Sequence, residues 1–176
     1  MMKNKQLLIR VEESLNRRRK KAYPVLFHYK VDPRIAQAVL TREKKAESAG
    51  TLYDYVCDMI RRQPRFVKKS GKLDEAGFYA YARIDKTTWS NLRWGLRVPS
   101  KETLLKLVFA LRLTEEEANI LMAKGHDSLD ETDPRDRIVL ALLDIGCYDI
   151  EEVYEVLEEY GTNGVHPFKN IYVDVC

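Results

Sequence analysis

Leu8, Val11 and Leu15 recur at steps of three and four, which predicts a short amphipathic helix over residues 3–16. It runs directly into Arg17-Arg18-Arg19-Lys20-Lys21, the densest positive cluster in the chain. From Tyr23 the pattern changes to alternation, with Val25, Phe27, Tyr29 and Val31 on one side, and predicts a strand. Ile35, Ala36, Val39 and Leu40 form the stripe of a second helix after Pro33, and the polar stretch 41–50 marks a boundary. Leu52, Tyr55, Val56, Met59 and Ile60 then share one face of a helix over 51–62, followed by a basic loop over 63–72. Four helix starts follow closely. Asp74 is placed to cap a helix through Arg83, Asp85 one from Lys86 to about Trp94 closed by Gly95, Ser100 one through Leu111, and Thr114 with Glu117 a fourth in capping-box spacing. Asp133-Pro134 opens a helix with Ile138, Leu142 and Ile145 inward. Asp149 opens the last, whose inward face is Ile150, Val153, Leu157 and Tyr160 and whose outward face is dense in Glu. The tail Ile171 to Val175 is β-prone and suited to pairing with the strand at 23–31.

These elements predict a mainly α protein: a helical bundle with additional N- and C-terminal helices and, if the tail pairs with the strand, a small two-stranded β element. Three segments are expected: a basic N-terminal segment over 1–50, a helical domain over 51–126, and an acidic C-terminal helical extension and tail over 127–176. With 45% hydrophobic residues and only 8 Gly and 6 Pro, scattered singly, the chain is globular in composition rather than disordered or collagen-like. No apolar run reaches membrane-spanning length, and the first twenty residues are too charged for a signal peptide, so a cytoplasmic protein without a membrane partner is expected. Cys57, Cys147 and Cys176 are far apart and lack CxxC spacing, which favours free thiols; neither a metal nor a cofactor is expected.

The net charge of +3 conceals a division. Residues 1–69 hold 18 Lys and Arg against 7 Asp and Glu, whereas residues 70–176 hold 12 against 20. A basic half of this kind points to a polyanion as partner. The acidic half is either solvated or docked on a basic partner, the chain's own N-terminus being one.

The segment Ile84-Asp85-Lys86-Thr87-Thr88-Trp89-Ser90-Asn91-Leu92-Arg93-Trp94-Gly95-Leu96-Arg97-Val98-Pro99-Ser100-Lys101-Glu102-Thr103-Leu104 resembles the recognition helix and the following helix of the Cro and phage-repressor (XRE-type) helix-turn-helix family. The resemblance rests on Ile84 before the capping Asp85, Ser90 in mid-helix, Gly95 closing it, and then Arg97, Pro99-Ser100 and Thr103-Leu104 at the family's spacing. It covers roughly residues 52–123, and a looser similarity continues through Tyr148 to Tyr160 as a C-terminal helical extension. It implies a prokaryotic or phage transcriptional regulator, repressor-like, that binds double-stranded DNA as a homodimer, for instance at its own promoter on a mobile element. Two positions depart from the family near its first motif helix: Glu75 stands where Gln or another neutral polar residue is usual, and Arg83 where the turn residue is commonly Gly. A third is Arg93, where the family often carries Glu.

Helical geometry supports the same surface independently. On a helix starting at Lys86, Trp89 and Leu92 fall inward, leaving Lys86, Thr87, Thr88 and Asn91 outward, with Trp94 undecided. Asn91 suits adenine, Lys86 guanine, and the threonine methyls thymine. Ser90, Arg93, Arg97 and Lys101 suit phosphates. Arg17, Arg18, Arg19, Lys20 and Lys21 form an auxiliary basic arm or, on the plainer reading, a solvated helix face; Lys68, Lys69 and Lys72 add to the same field. His28, His126 and His166 lack ligand spacing and no nucleophile arrangement is recognisable, so an enzyme is not expected.

A rival reading keeps the fold and changes the ligand: a helix-turn-helix converted to a protein-binding inhibitor or adaptor, such as a phage-encoded inhibitor of a host defence nuclease complex. Residues 127–176, with 3 Lys and Arg against 13 Asp and Glu, would then be the docking part. RNA binding by the basic half rests on charge alone.

Overall fold

The computed structural model describes residues 2–21 and 50–162. Among these are eight α-helices and no sheet: α1 (Met2–Lys21), α2 (Leu52–Arg61), α3 (Glu75–Tyr81), α4 (Lys86–Trp94), α5 (Lys101–Ala110), α6 (Glu115–Lys124), α7 (Pro134–Asp144) and α8 (Ile150–Thr162), with a single 3-10 turn at Pro64–Phe66. No described helix is long and apolar enough to cross a membrane. The expected strand at 23–31, the helix after Pro33 and the β-prone tail lie outside the described residues. The chain divides into two units, residues 50–128 and residues 2–21 with 129–162.

In the unit over 50–128 the helix boundaries are set by short polar side chains that accept from first-turn amides. Thr51 and Asp54 form a reciprocal capping box on α2, and Thr114 and Glu117 do so on α6. Asp85 accepts from the Thr88 amide at 2.8 Å and Ser100 from the Thr103 amide at 3.3 Å. Asp74 is the exception: it precedes α3 but accepts nothing from the first turn, and it pairs with Lys68 at 3.5 Å instead. The C-terminal ends of α3 to α6 share one device, a left-handed residue followed by an amide that reaches back five residues. Gly95 (φ 61°) does this for α4, but Arg83 (φ 53°), Arg112 (φ 56°) and His126 (φ 57°) do it for α3, α5 and α6 without glycine's freedom.

The apolar stripes of α2 to α6 converge on one core. α5 is its centre, with Leu105, Phe109 and Ala110 buried in addition to the expected stripe of Leu104, Leu107, Val108 and Leu111. Gly125 lies so close to α5 that a Cβ there would come within 2.5 Å of Leu104.

The second unit packs α1 on α7 and α7 on α8. Its apolar face is Leu7 and Val11 on α1, with Ser14 also buried. α7 is covered on several sides, Ile138 to Leu143 being buried without interruption, which is why its pattern is denser than the expected spacing of Ile138, Leu142 and Ile145. On α8 the buried residues are Val153, Tyr154, Val156 and Leu157, while Glu151, Glu155, Glu158 and Glu159 are exposed. α1 extends five residues beyond its expected end at residue 16, because Arg and Lys are good helix formers and cations are favoured at a helix C-terminus.

Candidate nucleic-acid interface

Trp89 orients α4. Only 4% exposed, it packs against Tyr53 of α2 (ring centroids 5.9 Å apart) and against Phe78 and Tyr79 of α3 (5.6 and 6.0 Å), while its indole N–H donates to Glu75 Oε2 at 2.9 Å. Leu92, one turn on, is buried beside it. α3 and α4 are joined by the short turn 82–85. There the Ile84 amide donates to Tyr79 O at 2.9 Å and Lys106 Nζ of α5 donates to Arg83 O at 3.0 Å. The left-handed Arg83 is therefore tied on both sides, and the direction in which α4 leaves the turn is fixed.

With Trp89 and Leu92 inward, Lys86 and Thr87 are exposed and Asn91 is half-buried on the outward side. The Lys86 ammonium and the Asn91 carboxamide have no hydrogen-bond or ion-pair partner among the described residues. Thr88 differs from its neighbours: its hydroxyl donates to the Asp85 carboxylate, leaving only its methyl for an outside partner. The same hydroxyl and the Thr88 amide hold the Asp85 carboxyl below the usual carboxylate range.

The residues expected to meet phosphates have separate fates. Arg97 is exposed and has no partner among the described residues, and Ser90 is half-buried in a groove beside α4. Arg93 is exposed, 3.5 Å from Glu75 Oε2, with its guanidinium 5.6 Å from the Trp94 ring. Lys101 is given a different role: it is 19% exposed and its Nζ donates to Ser128 O at 2.8 Å beside Asp127, because α5 begins where the chain leaving α6 returns. The basic run of α1 is likewise corrected at one position. Arg18 makes two bonds to Asp144, at 2.7 and 2.8 Å, and one to Glu131 at 3.0 Å, and Ser14 Oγ donates to the same Asp144. Burial opposes the charged form of Asp144, yet the Arg18 and Ser14 bonds outweigh it and hold this carboxyl low. Arg17 is exposed, whereas the side chains of Arg19, Lys20 and Lys21 lie outside the described residues.

Two grooves adjoin α4. One, of about 320 Å³, runs along Lys86, Ser90 and Arg93 and is bounded across from them by Lys68 and Leu73. The other, of about 300 Å³, lies at the helix end, lined by Arg93, Trp94, Arg97, Val98, Lys124 and His126 among others, with no carboxylate among the described residues that line it. Beyond α4, Trp94, Leu96 and Val98 are 68%, 67% and 64% exposed. Residues 61–101 carry eleven Lys and Arg against three Asp and Glu, so the cationic character follows this surface rather than the N-terminal cluster alone.

Glu75 is the participant that sequence patterns place least well. Its charge departs from the family resembled, and so does that of Arg93, but the structure pairs the two: one carboxylate oxygen serves both the Trp89 indole and Arg93. An acidic residue in the first turn of α3, fourteen residues before the tryptophan of the next helix, was the available signal. The two described cysteines are buried, and burial pushes the Cys147 thiol up to about 11, so it is a poor nucleophile near neutral pH. No family model, curated protein or solved structure matches the chain.

Proposed function

We propose that α3 and α4 are a helix-turn-helix of the XRE type and that the protein binds duplex DNA sequence-specifically as a non-enzymatic, cytoplasmic transcriptional regulator. The observation that carries this reading is the outward face of α4: Lys86, Thr87 and Asn91 stand together on a nine-residue helix braced by Trp89, and the two longest side chains have no intramolecular partner among the described residues. Groups with this inventory, a point-charge donor, a hydroxyl with a methyl, and a carboxamide able to pair bidentately with adenine, match base edges in the major groove. Each good base contact contributes about 1–3 kcal/mol of discrimination. Arg97 and Arg93 flank the helix end and suit phosphates, and a homodimer would place two such helices on half-sites about one turn of DNA apart.

A second reading, an interface for a protein partner, is favoured by the exposed Trp94, Leu96 and Val98 at the end of α4 and by the exposed glutamates of α8. Selection of duplexes from a random library separates the two. The DNA reading expects an enriched motif that Lys86→Ala and Asn91→Ala relax, while Arg97→Ala weakens all sequences alike. An absence of any enriched motif, with binding indifferent to all three substitutions, rejects it.

A further inference from the structure

The loop between α2 and α3 is a closed cationic turn. Lys68 and Gly71 are joined by the Gly71 amide donating to Lys68 O at 2.8 Å, the Lys68 amide donates to Lys72 O at 2.8 Å, and Val67 and Leu73 form an antiparallel bridge. Gly71 takes φ 77°, a conformation that costs a residue with a Cβ, so the tightness of the turn depends on it. Both ends of the turn are anchored. Phe66 is buried edge-on against Phe78, 5.2 Å between centroids, and the Asp74 amide donates to Phe66 O at 2.7 Å. Arg65, just before it, lies 4.0 Å over the Tyr81 ring.

The groove of about 320 Å³ is lined by Lys68 and Leu73 of this turn and by Lys86, Ser90 and Arg93 of α4, while Lys69 and Lys72 sit on the turn outside that lining. Two carboxylates also line that groove, but Asp74 is met by Lys68 and Glu75 by Arg93 and the Trp89 indole. Lys69 and Lys72 are exposed, and their ammonium groups have no partner among the described residues. A helix lying in a major groove has a sugar–phosphate strand beside it, and ammonium groups bind phosphate as point charges without reading bases.

We infer that the groove seats one phosphodiester strand of the duplex whose bases α4 reads, and that the Lys68–Lys72 turn grips that strand from its far side. The inference rests on the proposed DNA reading of α4. It assigns the turn a positional, sequence-independent role, distinct from the base contacts of Lys86 and Asn91.

The test uses the full chain, fluorescence anisotropy, and two labelled duplexes: the motif that the wild type enriches, or a mixed sequence if none emerges, and a scrambled control. Lys69→Ala with Lys72→Ala should make the plot of log affinity against log salt shallower by about 2, since each phosphate contact contributes about 0.9 to the slope. The change should be the same on both duplexes, leave the ratio between them intact, and be reversed by Lys69→Arg with Lys72→Arg. Circular dichroism should show the fold unaltered. An unchanged slope overturns the inference, and so does a loss confined to the motif duplex. A flattened slope alongside Lys86→Ala and Asn91→Ala variants that keep full discrimination would uphold the turn and sink base reading by α4; no binding to any duplex sinks both.

Discussion

Replacing Glu75 separates a structural role from a charge role at one position. Its Oε2 accepts from the Trp89 indole at 2.9 Å and lies 3.5 Å from Arg93. Trp89 is 4% exposed, so in Glu75→Ala its N–H loses its acceptor with little access to water, at a cost of about 1–3 kcal/mol. The Arg93 pair adds under about 1 kcal/mol, because the arginine side chain is 49% exposed and solvent screens it. Loss of a first-turn carboxylate from α3 adds about 0.3–1 kcal/mol. Glu75→Ala should therefore cost about 2–4 kcal/mol. Glu75→Gln keeps an amide oxygen for the indole and should cost only about 0.5–1.5 kcal/mol, the two charge contributions alone. Urea melts followed by circular dichroism and tryptophan emission measure both. A Trp89→Phe background supplies the control: with no indole N–H, Glu75→Ala and Glu75→Gln should become nearly equal. If they are already equal with Trp89 in place, the indole bond contributes nothing and the account of how α4 is held is wrong. On DNA the order reverses. Glu75→Gln removes a negative charge from the groove and releases Arg93, so affinity should rise and the salt slope steepen by about 1.

Gly125→Ala should destabilise the 50–128 unit by about 1–3 kcal/mol in thermal or urea melts although its φ of −85° is ordinary, because the added methyl meets the fully buried Leu104; an unchanged melt would mean that α5 and α6 can separate freely. Asp85→Ala should cost about 1 kcal/mol at neutral pH through the lost cap on α4. Because the folded carboxyl is held below its unfolded value of 3.8, that contribution is present above about pH 4 and is lost as pH falls through the folded value, so the wild-type and variant melting curves should converge in acid; a constant gap would contradict this. Asp144→Asn takes from the 10%-exposed Arg18 the carboxylate that receives two of its bonds, leaving Glu131, and amide exchange in α1 should accelerate, the packing of α1 on α7 weakening by about 1–3 kcal/mol; unchanged exchange at Leu7 and Val11 would show that the clamp is superfluous.

Helix starts were legible residue by residue because a cap is a local bond: Asp85, Ser100, Thr114, Asp133 and Asp149 all accept from amides two or three positions on, and Thr51, read as the first helical residue, does the same. Asp74 misled because its competitor Lys68 is brought close only by the turn before α3. Helix ends were legible at Gly95, and at Arg83 only through the resemblance, but not at Arg112 and His126, where the left-handed residue is one that statistics place elsewhere. Gly125 shows the converse, since the glycine serves close packing while its neighbour His126 turns the chain. The inward face of α4 followed from a period of 3.6, so Trp89, Leu92 and the outward Lys86, Thr87 and Asn91 were visible in the letters alone. Lys101, Arg18 and Glu75 were not, because each is engaged by a partner far away in sequence or by a side chain whose rotamer no periodicity specifies.

The unit that joins α1 to α7 and α8 is assembled from segments far apart in the chain: Ser14 meets Asp144 across a separation of 130 residues. At a synthesis rate of about 5–20 residues per second, α1 leaves the ribosome roughly 7–26 s before α7 exists. During that interval Leu7 and Val11 have no native cover, while the 50–128 unit between them and their partner can complete its own core. The ten or so charged residues of α1, clustered around a narrow apolar stripe, keep that waiting helix in solution until its acidic partner arrives. A destabilised α1 would therefore be exposed first as a fault of biogenesis, in yield and proteolysis, before any change in the mature protein's affinity for its ligand.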